Sequence, residues 1–309
     1  MKRLLTRATG VVAAVVLVAA VVAVGPALLR RGRLHFRWAG AVGQGVLNAP
    51  IGVAYANGRL YVTDAGADRI VVFDTGGTVV AHWDSRALDL GRPMHVSRGS
   101  HGLFYVAEYA RDRVSVVDSA GHLVRRVGGT GGKALGALDA PGGAAARGDT
   151  VYVADFYNHR VEAFTPRGVF LVGRPGRLWA GRLHYPTDVA TDDSLVYVAD
   201  AYNSRIQVFR PNGNYVRRSG GPLGLGVPGT WKGWFHVATG LTVAGGRVYV
   251  ADFYNNRVQI FSDGGHYLGE ARDSLRLPTD VAVGPHGALY VVDFGHQRVV
   301  RLVPVGRGP

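Results

Sequence analysis

One thirteen-residue pattern occurs six times in this 309-residue chain, and it constrains the fold more than any other feature. Each copy begins with Tyr-Val, has an acid three residues after the tyrosine, and has an arginine five residues after the acid. The six tyrosines are 41–52 residues apart and are Tyr61, Tyr105, Tyr152, Tyr197, Tyr249 and Tyr290. A period of this length is typical of architectures in which each repeat packs against its neighbours.

Each repeat predicts four short strands. Alternating apolar residues predict one strand before the acid and one after the arginine, joined by a four-residue loop. Most repeats open with a proline and a short apolar strand, and close with a glycine-led strand such as GHLVRRVGG from Gly121. Four strands per repeat, without helical periodicity, predict an all-β, six-bladed β-propeller over residues 34–309.

The last repeat lacks an outer strand, because it ends after RVVRLVPVG. The segment GRLHFRWAG, residues 32–40, has the same shape as the glycine-led strands. We expect this N-terminal segment to supply the missing strand and to close the ring without an open edge.

The repeated words YVAD-x-x-N-x-R-V resemble the NHL repeat family, and the resemblance covers residues 34–309. It implies a six-bladed propeller, in agreement with the strand count. Peptide-amidating lyases among NHL-type propellers hold a catalytic zinc with channel histidines. The strand starts of this chain supply only His95, so the full histidine set of those lyases is absent.

Residues 10–29 contain no charged side chain, and we predict that they form a transmembrane signal-anchor helix. A helix of that length spans about 30 Å, the thickness of the hydrocarbon core of a bilayer. Residues 1–33 would then be a cytoplasmic tail and anchor, with the propeller on the extracytoplasmic side and its lower face toward the membrane. A cleaved signal peptide is the alternative, since small residues surround Pro26.

Composition excludes several classes of function. The chain has no cysteine, which rules out disulfides, thiolate catalysis and cysteine-ligated metal sites. Of the formal net charge of +13, seven positive charges lie in residues 1–37, so the propeller itself is only mildly basic. We therefore do not expect nucleic acid to be a partner.

The six acid–arginine pairs are predicted to be structural. A four-residue loop places the two side chains opposite each other, within reach of a carboxylate–guanidinium contact. Catalysis would not need six copies. The pairs are Asp64/Arg69, Glu108/Arg113, Asp155/Arg160, Asp200/Arg205, Asp252/Arg257 and Asp293/Arg298.

The loops on the upper face, where each first strand begins, carry aromatic and amide side chains. Such groups around a shallow cavity suit peptides, glycans or flat organic ligands, although packing between blades would also explain the rings. The candidate ligand-binding residues are Tyr109, Tyr157, Asn158, Trp179, Tyr202, Asn203, Trp234, Tyr254 and Asn255. Trp234 belongs to a long connection, residues 219–237, whose extra length serves no blade.

The second residue after each strand opening alternates between glycine and a polar side chain around the ring. The polar ones are His95, Asp188 and Asp280, in blades 2, 4 and 6. One imidazole and two carboxylates about 120° apart suit a divalent cation on the axis, bound directly or through water. A solvated polar channel without an ion is the alternative.

From the sequence we expect a membrane-tethered binding platform whose upper face recognises an extracytoplasmic peptide, glycan or protein. The alternative is a metal-dependent lyase or hydrolase that uses the three channel residues. The sequence contains no G-x-S-x-G, HExxH or P-loop motif that would indicate another enzyme class.

Overall fold

The repeats form the predicted β-strands. The computed structural model describes residues 34–84, 88–177 and 179–305. The strands of the first half are β1 (Phe36–Val42), β2 (Pro50–Ala56), β3 (Arg59–Asp64), β4 (Arg69–Asp74), β5 (Val79–Trp83), β6 (Pro93–Arg98), β7 (Phe104–Glu108), β8 (Arg113–Val117), β9 (Leu123–Gly128), β10 (Pro141–Arg147), β11 (Thr150–Asp155), β12 (Arg160–Thr165) and β13 (Gly168–Pro175). Those of the second half are β14 (Arg182–Leu183), β15 (Pro186–Thr191), β16 (Val196–Asp200), β17 (Arg205–Phe209), β18 (Tyr215–Ser219), β19 (Ala238–Ala244), β20 (Arg247–Asp252), β21 (Arg257–Ser262), β22 (Tyr267–Ala271), β23 (Pro278–Val283), β24 (Leu289–Asp293) and β25 (Arg298–Pro304).

Within the described residues these strands form six sheets, antiparallel except for one two-residue pair, so the six-bladed propeller predicted from the sequence is confirmed. Blades 1, 2, 4 and 5 are four-stranded sheets of consecutive strands: β2–β5, β6–β9, β15–β18 and β19–β22. Blade 3, β10–β13, gains a fifth, two-residue strand when β14 pairs in parallel with β13. This extra strand comes from the connection before blade 4, which the sequence did not predict to pair.

Blade 6 is closed by the beginning of the propeller. Its sheet order is β1-β25-β24-β23, and β1 runs antiparallel to β25 with Phe36 opposite Pro304. The expected closure is confirmed, although the strand spans Phe36–Val42 rather than residues 32–40. A bulge between Trp38 and Gly40 shifts the register of the pairing with β25, which the sequence pattern does not indicate.

The core lies between neighbouring blades. All six repeat tyrosines are buried in it, and the ring centroids of Tyr61 and Phe104 are 4.2 Å apart across blades 1 and 2. Over the ranges that the structure describes, eight 3-10 helices connect strands: Ala65–Ala67, Ser100–Gly102, Tyr109–Arg111, Ala201–Asn203, Pro222–Gly224, Phe253–Asn255, Pro285–Gly287 and Phe294–His296. Five of them fill the loop between an acid and its arginine, as the four-residue spacing predicts.

Among the described residues, no helix is long and apolar enough to span a bilayer. The predicted anchor, residues 10–29, and the whole predicted segment 1–33 lie outside the described residues.

Candidate functional site

The three polar residues predicted for the channel lie together on its axis. His95, Asp188 and Asp280 are each the third residue of an inner strand, in β6, β15 and β23. One ligand atom from each falls within 4.8 Å of the others, and all three residues are buried. We call this cluster the channel triad.

The donor atoms face one another at distances suited to a shared cation. Nδ1 of His95 lies 3.3 Å from Oδ2 of Asp280 and 3.8 Å from Oδ2 of Asp188. That nitrogen is buried and makes no well-aligned hydrogen bond within the described part of the chain. Ligand atoms bound about 2.1 Å from one metal in tetrahedral geometry are about 3.4 Å apart, close to both distances.

Backbone amides of the neighbouring blades hold the two carboxylates. Oδ2 of Asp280 accepts a hydrogen bond from the N–H of Val53 at 2.9 Å, and Oδ2 of Asp188 accepts one from Leu241 at 2.9 Å. Each carboxylate therefore bridges two blades. These contacts fix the carboxylates in place, and a carboxylate oxygen that accepts one hydrogen bond keeps a second lone pair for a cation.

The alternating glycines make room for the channel triad. A Cβ at Gly240 would lie 2.5 Å from both Oδ1 of Asp280 and the carbonyl oxygen of Thr279, and a Cβ at Gly52 would lie 2.7 Å from the Cα of His95. Gly143 stands in the same relation to Asp188. Only three side chains fit in this layer, which explains the glycine–polar alternation in physical terms.

The electrostatics of the channel triad favour positive charge at its centre. Burial opposes the imidazolium form of His95, but the carboxylates of Asp188 and Asp280 outweigh it and raise the pKa of His95 to about 9. Burial and the neighbouring carboxylate of Asp280 raise the pKa of Asp188 to about 7, against the effect of His95. A cation between these groups would relieve the repulsion between the carboxylates.

Two cavities meet at the channel triad. On the upper side, a chamber of about 140 Å³ is lined by the second residue of each inner strand, by His95 and by the rings of Tyr109 and Phe156. On the lower side, where the inner strands end, a cavity of about 230 Å³ is lined by all three triad residues.

The six acid–arginine pairs occupy the loops as predicted. The arginine Nε lies 2.7–3.0 Å from a carboxylate oxygen of its acid in every blade. Each acid also accepts a backbone N–H from the connection that precedes its blade, for example that of His184 at 2.7 Å for Asp200. The pairs thus fasten one blade to the next, which is a structural role.

The loop asparagines, predicted as ligand-binding residues, also contact the acid of their own loop. The amide nitrogens of Asn158, Asn203 and Asn255 donate to the acid of their own loop at 2.8–3.0 Å. Each also donates to a carbonyl of the preceding connection. Their amide groups are committed to the fold.

The predicted rim aromatics fall into two groups on the upper face. Tyr109 and Tyr157 join their hydroxyls at 2.7 Å, and contacts through Phe156 and Tyr185 extend this group to Tyr202. The second group contains Trp231 with Trp234, their ring centroids 5.2 Å apart, and Tyr254 with His236 at 4.9 Å.

Four of the rim aromatics are prominent on the surface: Trp179 is 77% exposed, Trp231 72%, Tyr202 58% and Tyr254 55%. Tyr185 and the stacked pair His159 and His184, 5.1 Å apart, belong to the same surface. Tyr185 and His159 were not predicted from the sequence to lie on this surface. Tyr185 stands just before a strand and His159 within a loop, and both positions indicate the upper face.

The NHL repeat family model matches residues 183–209, 235–261 and 275–302, which lie in blades 4, 5 and 6. The chain is thus a six-bladed β-propeller that carries NHL repeats. A search of curated proteins gives no significant match.

Solved structures share the architecture at low sequence identity. Streptogramin B lyase is 11% identical with a TM-score of 0.59, over 88% of this chain and 98% of that one. Virginiamycin B lyase from Staphylococcus aureus is 14% identical with a TM-score of 0.58, over 87% and 85%. A gluconolactonase from Xanthomonas campestris is 17% identical with a TM-score of 0.65, over 87% and 91%. At these identities the likeness concerns the fold alone.

Proposed function

We propose that the channel triad binds a divalent cation and that the protein is a metal-dependent enzyme of the lyase or hydrolase class. The observation that carries this proposal is the convergence of His95, Asp188 and Asp280, buried, with ligand atoms within 4.8 Å. Two carboxylates so close together inside a protein are costly unless a proton or a cation lies between them. A cation would compensate both charges and would take Nδ1 of His95 as a ligand in place of the proton that this nitrogen otherwise holds.

The donor set suits a metal ion of intermediate hardness. Two carboxylates and one imidazole accept Mn²⁺, Fe²⁺ or Zn²⁺ and leave further coordination positions open. When bound there, such an ion polarises a carbonyl oxygen or lowers the pKa of a bound water. The chain itself orients the carboxylates through the N–H groups of Val53 and Leu241.

The structural comparisons are consistent with this proposal but do not carry it. Propellers of this shape include proteins titled as lyases and as a gluconolactonase, so the architecture accommodates enzymes. Function still depends on the side chains of the site and not on the fold. We therefore base the enzyme class on the channel triad.

Titration of the purified full-length chain with Mn²⁺ tests the proposal. We expect about one ion per chain by calorimetry, and loss of that binding when Asp188→Asn and Asp280→Asn are combined. The matched control is Asp193→Asn, an exposed aspartate outside the channel. Equal Mn²⁺ binding by the double variant and the control would refute the metal site.

A second candidate function, the binding platform predicted from the sequence, is favoured by the exposed rim. Trp179, Trp231, Tyr202 and Tyr254 offer rings to a peptide, a glycan or a flat organic ligand. If this function is the correct one, ligand capture is lost in a Trp179→Ala, Tyr202→Ala variant and is unaffected by removal of metal ions with a chelator.

The membrane tether remains a proposal that rests on the uncharged segment of residues 10–29. A single-pass protein with an extracytoplasmic propeller would remain in the membrane fraction after alkaline carbonate extraction. A chain without residues 10–29 would appear in the soluble fraction. Release of the full-length chain by carbonate would refute the tether.

A further inference from the structure

The two cavities that meet at the channel triad differ in which triad groups they reach. The cavity on the lower side is lined by His95, Asp188 and Asp280 together. The chamber on the upper side is lined by His95 but by neither carboxylate. Only the lower cavity therefore reaches all three residues that would hold the cation.

The residues of the inner strands explain this asymmetry. Two positions beyond the channel triad, all six blades carry small side chains: Ala54, Ser97, Ala145, Ala190, Thr242 and Ala282. All six line the lower cavity. One position before the triad, on the upper side, four blades carry threonine or isoleucine, one carries methionine and one carries glycine: Ile51, Met94, Gly142, Thr187, Thr239 and Thr279. The channel is therefore wider below the triad than above it.

Aromatic rings narrow the upper side further. Tyr109 and Phe156 line the upper chamber beside Met94. The Tyr109 hydroxyl is tied to that of Tyr157 at 2.7 Å, and the guanidinium of Arg92 lies 5.0 Å from the centre of the Tyr109 ring. These contacts hold the ring over the chamber. The upper chamber, about 140 Å³, is thus smaller than the lower cavity, about 230 Å³, and two aromatic rings line it.

One positive charge lies in the lower cavity. Apart from the triad, Arg98 is the only charged residue among the described ones that lines this cavity. It is exposed at the end of β6, and no carboxylate in the described part of the chain forms an ion pair with it. A guanidinium at the mouth and a cation at the inner end would both attract an anion.

We infer that the substrate is a small carboxylate-bearing molecule that reaches the cation from the lower face, through the cavity lined by Arg98. This route requires that the lower face does not lie against the membrane, contrary to the orientation expected from the sequence for a tethered propeller. This inference rests on the proposed metal site. A cavity of about 230 Å³ is smaller than the 300–1,000 Å³ typical of sites for drug-sized ligands. A carboxylate supplies hard oxygen atoms for the open positions of the cation, and its charge matches Arg98.

Oxalate is a suitable probe, because its two carboxylates bind Mn²⁺ and displace water. With the Mn²⁺-loaded full-length chain, oxalate is expected to lower the water-proton relaxivity while the ion stays bound. Arg98→Gln should weaken oxalate binding about 10-fold and leave Mn²⁺ affinity within about 3-fold. Ala190→Leu, which fills the lower cavity, should weaken oxalate binding at least as much.

The matched control is Ile51→Phe, which adds volume to the upper chamber and should change oxalate affinity by no more than about 2-fold. Weakened oxalate binding in Ile51→Phe with normal binding in Ala190→Leu would overturn the inference and place access at the upper face. Unchanged oxalate affinity in Arg98→Gln, which alters an exposed side chain and should not disturb folding, would overturn it as well. A wild-type chain that binds no Mn²⁺ would instead refute the metal site, and this inference would fall with it.

Discussion

The seventh residue after the repeat acid differs between blades that are otherwise alike. In blades 4 and 5 it is Gln207 or Gln259, whose amide donates to the buried acid at 2.9–3.0 Å. In blade 3 it is Glu162, which accepts the N–H of Gly136 at 3.0 Å and lies 2.9 Å from Arg160. Burial, with a smaller effect of the Asp155 charge, raises the pKa of Glu162 to about 7 despite Arg160.

Replacing Glu162 by glutamine is expected to stabilise the protein in a pH-dependent manner. The carboxyl titrates near 4.5 when unfolded and near 7 when folded, so the folded state holds its proton more tightly. Stability from this group is therefore fully present below about pH 4.5 and is lost as the pH rises through 7. Glu162→Gln should raise the free energy of unfolding by about 1 kcal/mol at pH 8 and leave it unchanged at pH 4.

Urea unfolding at the two pH values measures this difference. The converse variant, Gln207→Glu, places the same carboxyl in blade 4 and should destabilise the protein at pH 8. An equal effect of Glu162→Gln at both pH values would show that folding does not raise the pKa of this carboxyl.

A methyl group in the triad layer is expected to disturb both folding and cation binding. A Cβ at Gly143 would be 3.0 Å from the Cα of Asp188 and in conflict with its carboxylate. Gly143→Ala should lower stability by about 1–3 kcal/mol. It should also weaken Mn²⁺ binding, because Asp188 must move.

The control for Gly143→Ala is Gly264→Ala, where the new Cβ would meet only ordinary contacts of 3.4 Å or more. Thermal unfolding and Mn²⁺ titration of both variants measure the difference. Equal behaviour of the two variants would contradict the close packing described for the triad layer.

The channel triad was predictable from the sequence, because repeat alignment places His95, Asp188 and Asp280 at one position of alternate blades. The distances between their ligand atoms were not predictable, because these depend on how near the inner strands approach the channel axis and on the side-chain rotamers. The contacts of Asn158, Asn203 and Asn255 with the acids were not predictable for a related reason. The sequence places an amide in each loop but does not show which group its nitrogen donates to.

At the scale of elements, the repeat arginines do more than pair with their acids. Nη2 of Arg257 donates to the carbonyls of Trp231 and Trp234 at 2.9 and 2.8 Å. Arg205 reaches the carbonyl of Trp179 at 3.2 Å in the same way. The long connections of residues 173–185 and 219–237 are thereby fixed to the blades that follow them, a link between distant residues that strand patterns do not reveal.

The closure of blade 6 by β1 predicts a sharp boundary for N-terminal truncation. Removing residues 1–34 leaves β1 in place and should change the melting temperature by no more than about 2 °C. Removing residues 1–43 uncovers β25, whose Val299, Val300 and Leu302 are buried. We expect that loss to cost about 3 kcal/mol, or roughly 5–10 °C in melting temperature.

Scanning calorimetry of the two truncated chains measures this contrast. Matching melting temperatures would show that β1 contributes little and that the ring is held by the other blades alone.

At the scale of the whole molecule, the architecture follows from the six-fold pattern almost completely. The acid–arginine spacing defines the loop, the alternation defines the strands, and the count of repeats defines the number of blades. The short strand β14 and the two unequal cavities do not follow from it. They depend on the conformations of irregular connections and on side-chain volumes summed around the channel axis, which no single repeat specifies.

The cation site gives the whole molecule its proposed function, and it is open to direct observation. Crystals of the protein grown with Mn²⁺ and measured at a wavelength with strong manganese anomalous scattering would locate the ion. We predict one anomalous peak about 2.1–2.3 Å from Nδ1 of His95 and from a carboxylate oxygen of both Asp188 and Asp280. A map with manganese bound elsewhere and no peak between these three residues would contradict the account.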